Sequence, residues 1–357
     1  MLIEIFVGVK INYFEIFKRK SYHEDWIMKK RIYIFQNGEL KRKDNTLYFE
    51  NEQGKKFIPI ENTSEILIFG EVDVNKRFLE FTTQAEIIIH FFNHYGYYIG
   101  SFYPREHYNS GYMILKQAEF YMDMTKRLSI ARLFIKGATF NILRVLKYYQ
   151  KRGKEVEDVI VVINDILKKT HLTDDVNVLL GLEGNIRNTY YQAFDQITEN
   201  VDFSFEKRSR RPPENALNAL ISFGNSLLYV EVLREIYQTH LDPRIGYLHT
   251  TNFRSFTLNL DIAEIFKPII VDRCIFNLLN KRMLKPKHFL KELNGVVLNE
   301  DGRKLLIQEY ETRLKTTIKL SGTKDEVSYS RIIRRELYKL EKHLMGEKEY
   351  APYVSGW

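Results

Sequence analysis

The chain has 357 residues, with 54 Lys and Arg against 46 Asp and Glu, a formal net charge of +8. That length favours two domains over a single hydrophobic core, and 44% apolar with 28% charged residues excludes a disordered or fibrous chain. The basic balance points to a polyanionic partner, with plain solubility as the alternative.

No run of 18 apolar residues occurs, so no membrane-spanning helix is expected. One cysteine, Cys274, allows no intrachain disulfide and fits a reducing cytoplasm. It lies in an apolar helical stretch and reads as a buried core thiol rather than a nucleophile. The 24 Phe and 23 Tyr supply core volume and faces on which bases could stack.

In chain order, residues 1–27 alternate apolar and charged residues without the apolar stretch of a secretory signal. Met28 then opens a strand-like run, so 1–27 read as an upstream extension. Residues 28–107 read as a β-rich domain with strands near 31–35, 46–49, 56–60, 65–69, 86–92 and 97–103, and a helix over 74–84. Asn37-Gly38 between apolar runs predicts a hairpin. From 108 to 357 the periodicity predicts helices near 111–124, 125–150, 154–168, 173–196, 213–239, 256–282, 301–318 and 328–345. In the last, Ile333, Leu337, Leu340 and Leu344 form one stripe; the stripe of Arg331, Arg335, Lys339 and Lys342 reads first as a solvated face. The fold class is therefore α+β, a β domain followed by a larger all-helical one. Between the helices, Lys207, Arg208, Arg210 and Arg211 form a basic loop that ends at Pro212-Pro213, which interrupts helix.

Three segments carry candidate chemistry. In Gly181-Leu182-Glu183-Gly184 two glycines flank a carboxylate at the expected start of a helical run. Each costs about 1 kcal/mol against alanine in a helix, which suggests close backbone approach around Glu183; a helix-start acid is the ordinary alternative. In Asp242-Pro243-Arg244-Ile245-Gly246-Tyr247-Leu248-His249 a turn delivers His249 to the next helix. In Asp261-Ile262-Ala263-Glu264 two carboxylates share a helix face among apolar neighbours. Such a pair needs a partner: a cation site, or ion pairs with Lys267, Arg254 or Arg273. Together these groups suit Mg²⁺ or Mn²⁺ with open positions. Zinc of the structural kind, nucleotide loops and a hydrolase elbow lack their motifs.

The series Arg210-Arg211-Pro212-Pro213, then Asn218 to Tyr229, then Leu241-Asp242-Pro243 to His249, then Asp261-Ile262-Ala263-Glu264, Lys267-Pro268 and Val271-Asp272-Arg273 resembles the CRISPR-associated integrase endonuclease family, Cas protein one. The Glu183 segment and His90 to Glu106 are similar to it as well, and the texture is closest to the form found with type I-B systems. His240 departs from the family's usual glycine.

The resemblance implies a β-sandwich followed by a helical catalytic domain, and a cytoplasmic homodimer that works with the small companion Cas protein two. It implies that Glu183, His249 and Glu264 bind a metal and are catalytic, with Asp261 as supporting acid. The implied reaction joins the 3′ ends of a short double-stranded DNA, the prespacer, to CRISPR repeat DNA, with nuclease activity alongside. Arg208, Arg210 and Arg211 would hold phosphates, and Arg187 and Lys267 are further candidate DNA contacts. Rival readings are a metal-free nucleic-acid scaffold, a small-molecule phosphoesterase with a closed pocket, and an assembly protein.

Overall fold

The computed structural model describes residues 29–104, 110–210, 212–251, 256–293, 295–319 and 326–356. The expected extension at 1–27, Arg211 and Arg254 lie outside the described residues.

Two four-stranded sheets build the β-rich part. One holds β1 (Lys30–Ile34), β5 (Thr63–Ile68) and β7 (Ile88–Phe92) in parallel, with β8 (Tyr98–Phe102) antiparallel at its edge. The other holds the meander β2 (Gly38–Lys43), β3 (Thr46–Asn51) and β4 (Gly54–Ile58), with β6 (Val72–Val74) parallel to β2. Helix α1 (Lys76–Gln84) starts at Asn75, whose side chain accepts from the Phe78 amide at 3.0 Å, and leads back to β7. Alternation along β5 sends Ile66 and Ile68 into a core with Leu40, Leu47 and Ile58 of the second sheet. Leu67 and Phe69 point the other way, into the core of the helical part. The expected sandwich is therefore present, sealed on its outer face by helices.

The Asn37-Gly38 hairpin is corrected. β1 and β2 do not pair; they belong to different sheets. Asn37 Oδ1 accepts from the Glu71 amide at 2.9 Å and the Gly38 amide donates to Glu71 O at 3.0 Å, so the dipeptide carries the chain between sheets. Gly38 is needed for close approach: a Cβ there would lie 2.4 Å from Glu50 O. The tight turn of the meander falls instead at Asp44-Asn45, with Asp44 at φ 53°.

The remainder is mostly helical: α2 (Gly111–Met122), α3 (Met124–Gln150), α4 (Glu157–Lys169), α5 (Val176–Gln192), α6 (Phe194–Thr198), α7 (Ala216–Ile236), α8 (Leu258–Phe266), α9 (Arg273–Asn280), α10 (Glu300–Lys315) and α11 (Tyr329–Leu344). It also holds two short hairpins that periodicity did not reveal, β9 (Phe289–Glu292) with β10 (Gly295–Leu298), and β11 (Thr317–Lys319) with β12 (Glu326–Ser328). The first seats against the proline turn, where the Val296 amide donates to Pro213 O at 2.8 Å. Helix α7 is long and apolar enough to cross a membrane, yet 89% of its most apolar window is buried in protein, which makes it the core helix of this fold. On α11 the apolar stripe is buried and Arg331, Arg335 and Lys342 are exposed. Cys274 is buried, as expected.

The single helix expected over 256–282 is interrupted. Pro268 has no N–H to donate, and the chain makes a π turn at Pro268–Asp272, with the Asp272 amide bonded to Lys267 O at 3.0 Å.

Buried charge joins the two parts. Arg31 of β1 meets Glu65 of β5 at 3.1 Å and Glu311 of α10 at 2.7 Å, and also binds Glu231 of α7. Arg234 reaches Glu65 at 2.6 Å and Glu235 at 3.0 Å. Burial works against the Glu65 charge, but Arg234 and Arg31 hold its carboxyl well below the usual range. Removing one member of such a network strands buried partners at a cost of about 3–5 kcal/mol. It fixes the sheet against α7 and α10 of the helical part.

Candidate metal centre

Helix α5 presents Glu183. Its N-terminus is capped by Asp175, whose carboxylate accepts from the Asn177 amide at 2.7 Å. The two glycines lie inside the helix, not at its start. A Cβ on Gly181 or Gly184 would meet no atom within 4 Å, so no neighbouring segment of the chain approaches there. The glycines instead leave open space on the helix surface at their own positions.

The turn before His249 is fixed from three sides. Gln117 of α2 accepts from the Asp242 amide at 2.7 Å and donates to Asp242 O at 3.1 Å. Arg127 of α3 donates to Tyr247 O at 2.9 Å. Gly246 donates to Thr257 Oγ1 at 2.8 Å, and a Cβ on it would stand 2.9 Å from Asp261 Oδ2. This glycine is there so that the turn can lie on the Asp261 carboxylate.

Asp261 is the hub. It is fully buried and accepts the amides of Tyr247 at 2.6 Å, Leu248 at 3.0 Å and His249 at 2.9 Å. Its Oδ1 also lies 2.7 Å from His249 Nδ1. A carboxylate that accepts three amides accepts the imidazole N–H as well, which puts the proton on Nδ1 and leaves Nε2 for a metal. Burial opposes a charge on His249, but the hydrogen bond and charge of Asp261, with Glu264 adding, raise its pKa above the ordinary value.

One turn further along α8, Glu264 meets Arg187 Nη2 of α5 at 2.7 Å through one oxygen and Lys267 through the other. Arg187 also approaches Asp272 at 3.6 Å and Glu183 at 3.9 Å. Burial works against the Glu264 charge, yet Lys267, Arg187 and His249 hold its carboxyl well below the usual range. Glu183 goes the other way. Burial, then the charge of Glu264, push it up to about 7 despite Arg187, Lys267 and His249.

Glu183, His249 and Glu264, from three separate segments, lie near enough to influence one another's charge. Among the described residues no group of three or more His, Cys, Asp or Glu side chains is arranged to hold an ion, and Glu264 is occupied by Arg187 and Lys267. The donor set fits a divalent ion. Three carboxylates, those of Glu183, Glu264 and Asp272, face two permanent cations, and Glu183 has only a 3.9 Å ion pair. The site wants more positive charge than the chain supplies.

Of the expected DNA contacts, Arg187 and Lys267 are each 6% exposed and paired with Glu264. Tyr190, next along the same helix face, is fully buried packing. Arg208 is held by Asn218 Oδ1 at 2.9 Å and Ser222 Oγ at 3.0 Å, whereas Arg210 is exposed. At the departure His240, the amide donates to Glu341 at 2.6 Å. The sequence assigns no site role to Asp272 or Gln117, although Asp272 lies in the Val271-Asp272-Arg273 run that carries part of the family resemblance.

The α+β fold with this buried acid–imidazole cluster defines a class, and the comparisons agree on which. The family described as CRISPR associated protein Cas1 matches residues 32–312. The chain belongs to the Cas1 family. It is 62% identical over 330 residues to the CRISPR-associated endonuclease Cas1 2 of Thermodesulfovibrio yellowstonii, covering 92% of this chain and 100% of that one. It is 50% identical over 320 residues to the CRISPR-associated endonuclease Cas1 of Thermotoga maritima, covering 90% and 98%. The solved structure of a Cas1 protein from Thermotoga maritima superposes with a TM-score of 0.83, covering 91% of this chain and 100% of that one. A casposase bound to integration product shares the fold at 20% identity, with a TM-score of 0.81 over 92% of this chain and 94% of that one.

Proposed function

We propose that the chain is a metal-dependent DNA endonuclease and integrase that joins the 3′ ends of a short double-stranded DNA, a prespacer, to CRISPR repeat DNA. Glu183, Glu264 and His249 Nε2 would hold Mg²⁺ or Mn²⁺. The bound ion supplies Lewis-acid stabilisation of the charge that develops on the scissile phosphate. Asp261 keeps the imidazole in the required tautomer and orientation by accepting its Nδ1–H, as a carboxylate behind a metal-bound histidine does. The reaction is a transesterification in which a DNA 3′-hydroxyl displaces the 3′-oxygen of the target strand, and water in its place gives cleavage.

Arg210 is exposed for phosphate contact, Arg211 would extend that contact, and Arg208 braces the loop from within. The sandwich is the proposed homodimer surface, and the small companion Cas protein two is the proposed partner. A neighbour of the same fold at 18% identity, with a TM-score of 0.79 over 94% of this chain, was solved as a Cas6-RT-Cas1–Cas2 complex. A compartment without oxidising conditions, the cytoplasm, suits the single buried thiol.

The observation that carries the reading is Glu183: a largely buried carboxylate without an adequate cation, one helix away from Glu264 and His249. A strand-transfer assay with Mn²⁺ tests it. His249→Ala is expected to lower product formation by about 10²-fold or more while DNA affinity stays unchanged. Equal activity of parent and variant would reject the metal-centre assignment, and loss of DNA binding in step with activity would favour a scaffold role.

A further inference from the structure

Both oxygens of Glu264 are taken by cations of the chain, Arg187 on one and Lys267 on the other. A divalent ion on Glu264 would compete with the guanidinium for that carboxylate and repel it at close range in a dry site. A second anionic partner for Arg187 would relieve that repulsion. Its Nη1 and Nε make no well-formed hydrogen bond, and Nη1 and Asp272 Oδ2 are 3.6 Å apart, while the Tyr190 hydroxyl is the other group that approaches the Asp272 carboxylate. A guanidinium and a carboxylate can meet through two parallel bonds, and here that pairing is not made. Asp272 is 1% exposed, so no bulk water competes for it. Its position comes from the π turn, whose extra residue brings Lys267 O and the Asp272 amide together at 3.0 Å.

We infer that Asp272 is a positioning residue that receives Arg187 when a metal takes Glu264, so that loading the site moves one internal cation from Glu264 to Asp272. This rests on the metal-centre reading above. In the metal-free chain Arg187 neutralises Glu264; in the loaded chain it neutralises Asp272 and keeps the guanidinium beside the ligands without blocking them. Burial pushes the Asp272 carboxyl up to about 7, with Arg187 and Lys267 acting against that, as fits a buried acid whose partner is not fully engaged.

Calorimetric titration of the metal-free full chain with Mn²⁺ tests this without reference to activity. D272N is expected to bind Mn²⁺ about tenfold or more weakly than the parent, since Arg187 then has no alternative to Glu264. R187Q is expected to bind at least as tightly as the parent, and D272N added to R187Q is expected to change nothing further. The inference is overturned if D272N binds like the parent, if R187Q loses binding, or if D272N weakens binding equally in the R187Q background. Should D272N not fold, the comparison of R187Q with R187Q/D272N, where both buried charges are absent, decides the matter. A parent that takes up no Mn²⁺ overturns both readings. A parent that binds while E183Q does not leaves the metal centre standing, whatever D272N does.

Discussion

Glu183→Gln is expected to make the metal-free protein more stable and, in the same molecule, to abolish its chemistry. Burial and the neighbouring Glu264 push the Glu183 carboxyl up to about 7, while in an unfolded chain such a group titrates near its ordinary value. A folded pKa above the unfolded one means that the group's favourable contribution is complete below the unfolded pKa and is lost as pH rises through the folded pKa. Above that point the ionised Glu183 costs the native state about 2–3 kcal/mol, an upper figure because its side chain is 14% exposed. Glutamine carries no charge and recovers that cost. In chelator at pH 8 the variant should therefore melt above the parent, and at pH 4 the two should melt together. With Mn²⁺ the order should reverse, because only the parent gains by binding an ion in its native state. Strand transfer should fall by about 10²-fold or more. Active sites commonly hold such destabilising groups. A variant that melts below the parent at pH 8 in chelator contradicts the account of Glu183.

Asp261→Asn is expected to damage stability and chemistry together, with or without metal. Asp261 accepts three backbone amides and faces His249 Nδ1. An asparagine keeps one acceptor oxygen and turns an NH₂ group toward donors, so at least one lobe opposes N–H to N–H. Hydrogen bonds to a charged acceptor contribute about 1.5–3 kcal/mol each, and an unsatisfied buried group costs a similar amount. A loss of about 3 kcal/mol or more follows, read by denaturant unfolding. The imidazole also loses the partner that fixes its tautomer, so Mn²⁺ affinity should fall by about 10–100-fold. Unchanged unfolding would mean that Asp261 is not the hub of the turn. A destabilised variant that binds Mn²⁺ like the parent would mean that it does not act through His249.

How much of this was legible in the sequence depends on the scale of the feature. The β-rich part and most helices follow from local alternation and periodicity, which survive packing, whereas the sandwich arrangement rested on the family resemblance. The Asn37-Gly38 hairpin did not, because a glycine can serve a turn or a close approach, and only the position of Glu50 O distinguishes the two. The helix at 256–282 looked continuous because one proline leaves the apolar pattern intact while removing a single donor. For the site, Asp261 with Glu264 on one helix face was readable from their spacing, and ion pairing through Lys267 was one of the alternatives left open. The grouping of Glu183 and His249 with them came from family resemblance, since no spacing rule links residues so far apart. The occupation of Glu264 by Arg187 was not legible at all. It joins side chains 77 positions apart and depends on how α5 lies against α8.

The account's central claim is that Glu183, His249 and Glu264 bind one divalent ion. The most direct measurement is anomalous diffraction at the manganese edge from crystals of the parent protein equilibrated with Mn²⁺. A single strong peak is expected within about 2.0–2.3 Å of an oxygen of Glu183, an oxygen of Glu264 and Nε2 of His249, with Arg187 withdrawn from Glu264. A protein that performs strand transfer yet shows its manganese elsewhere, or none at these three side chains at saturating Mn²⁺, would contradict it.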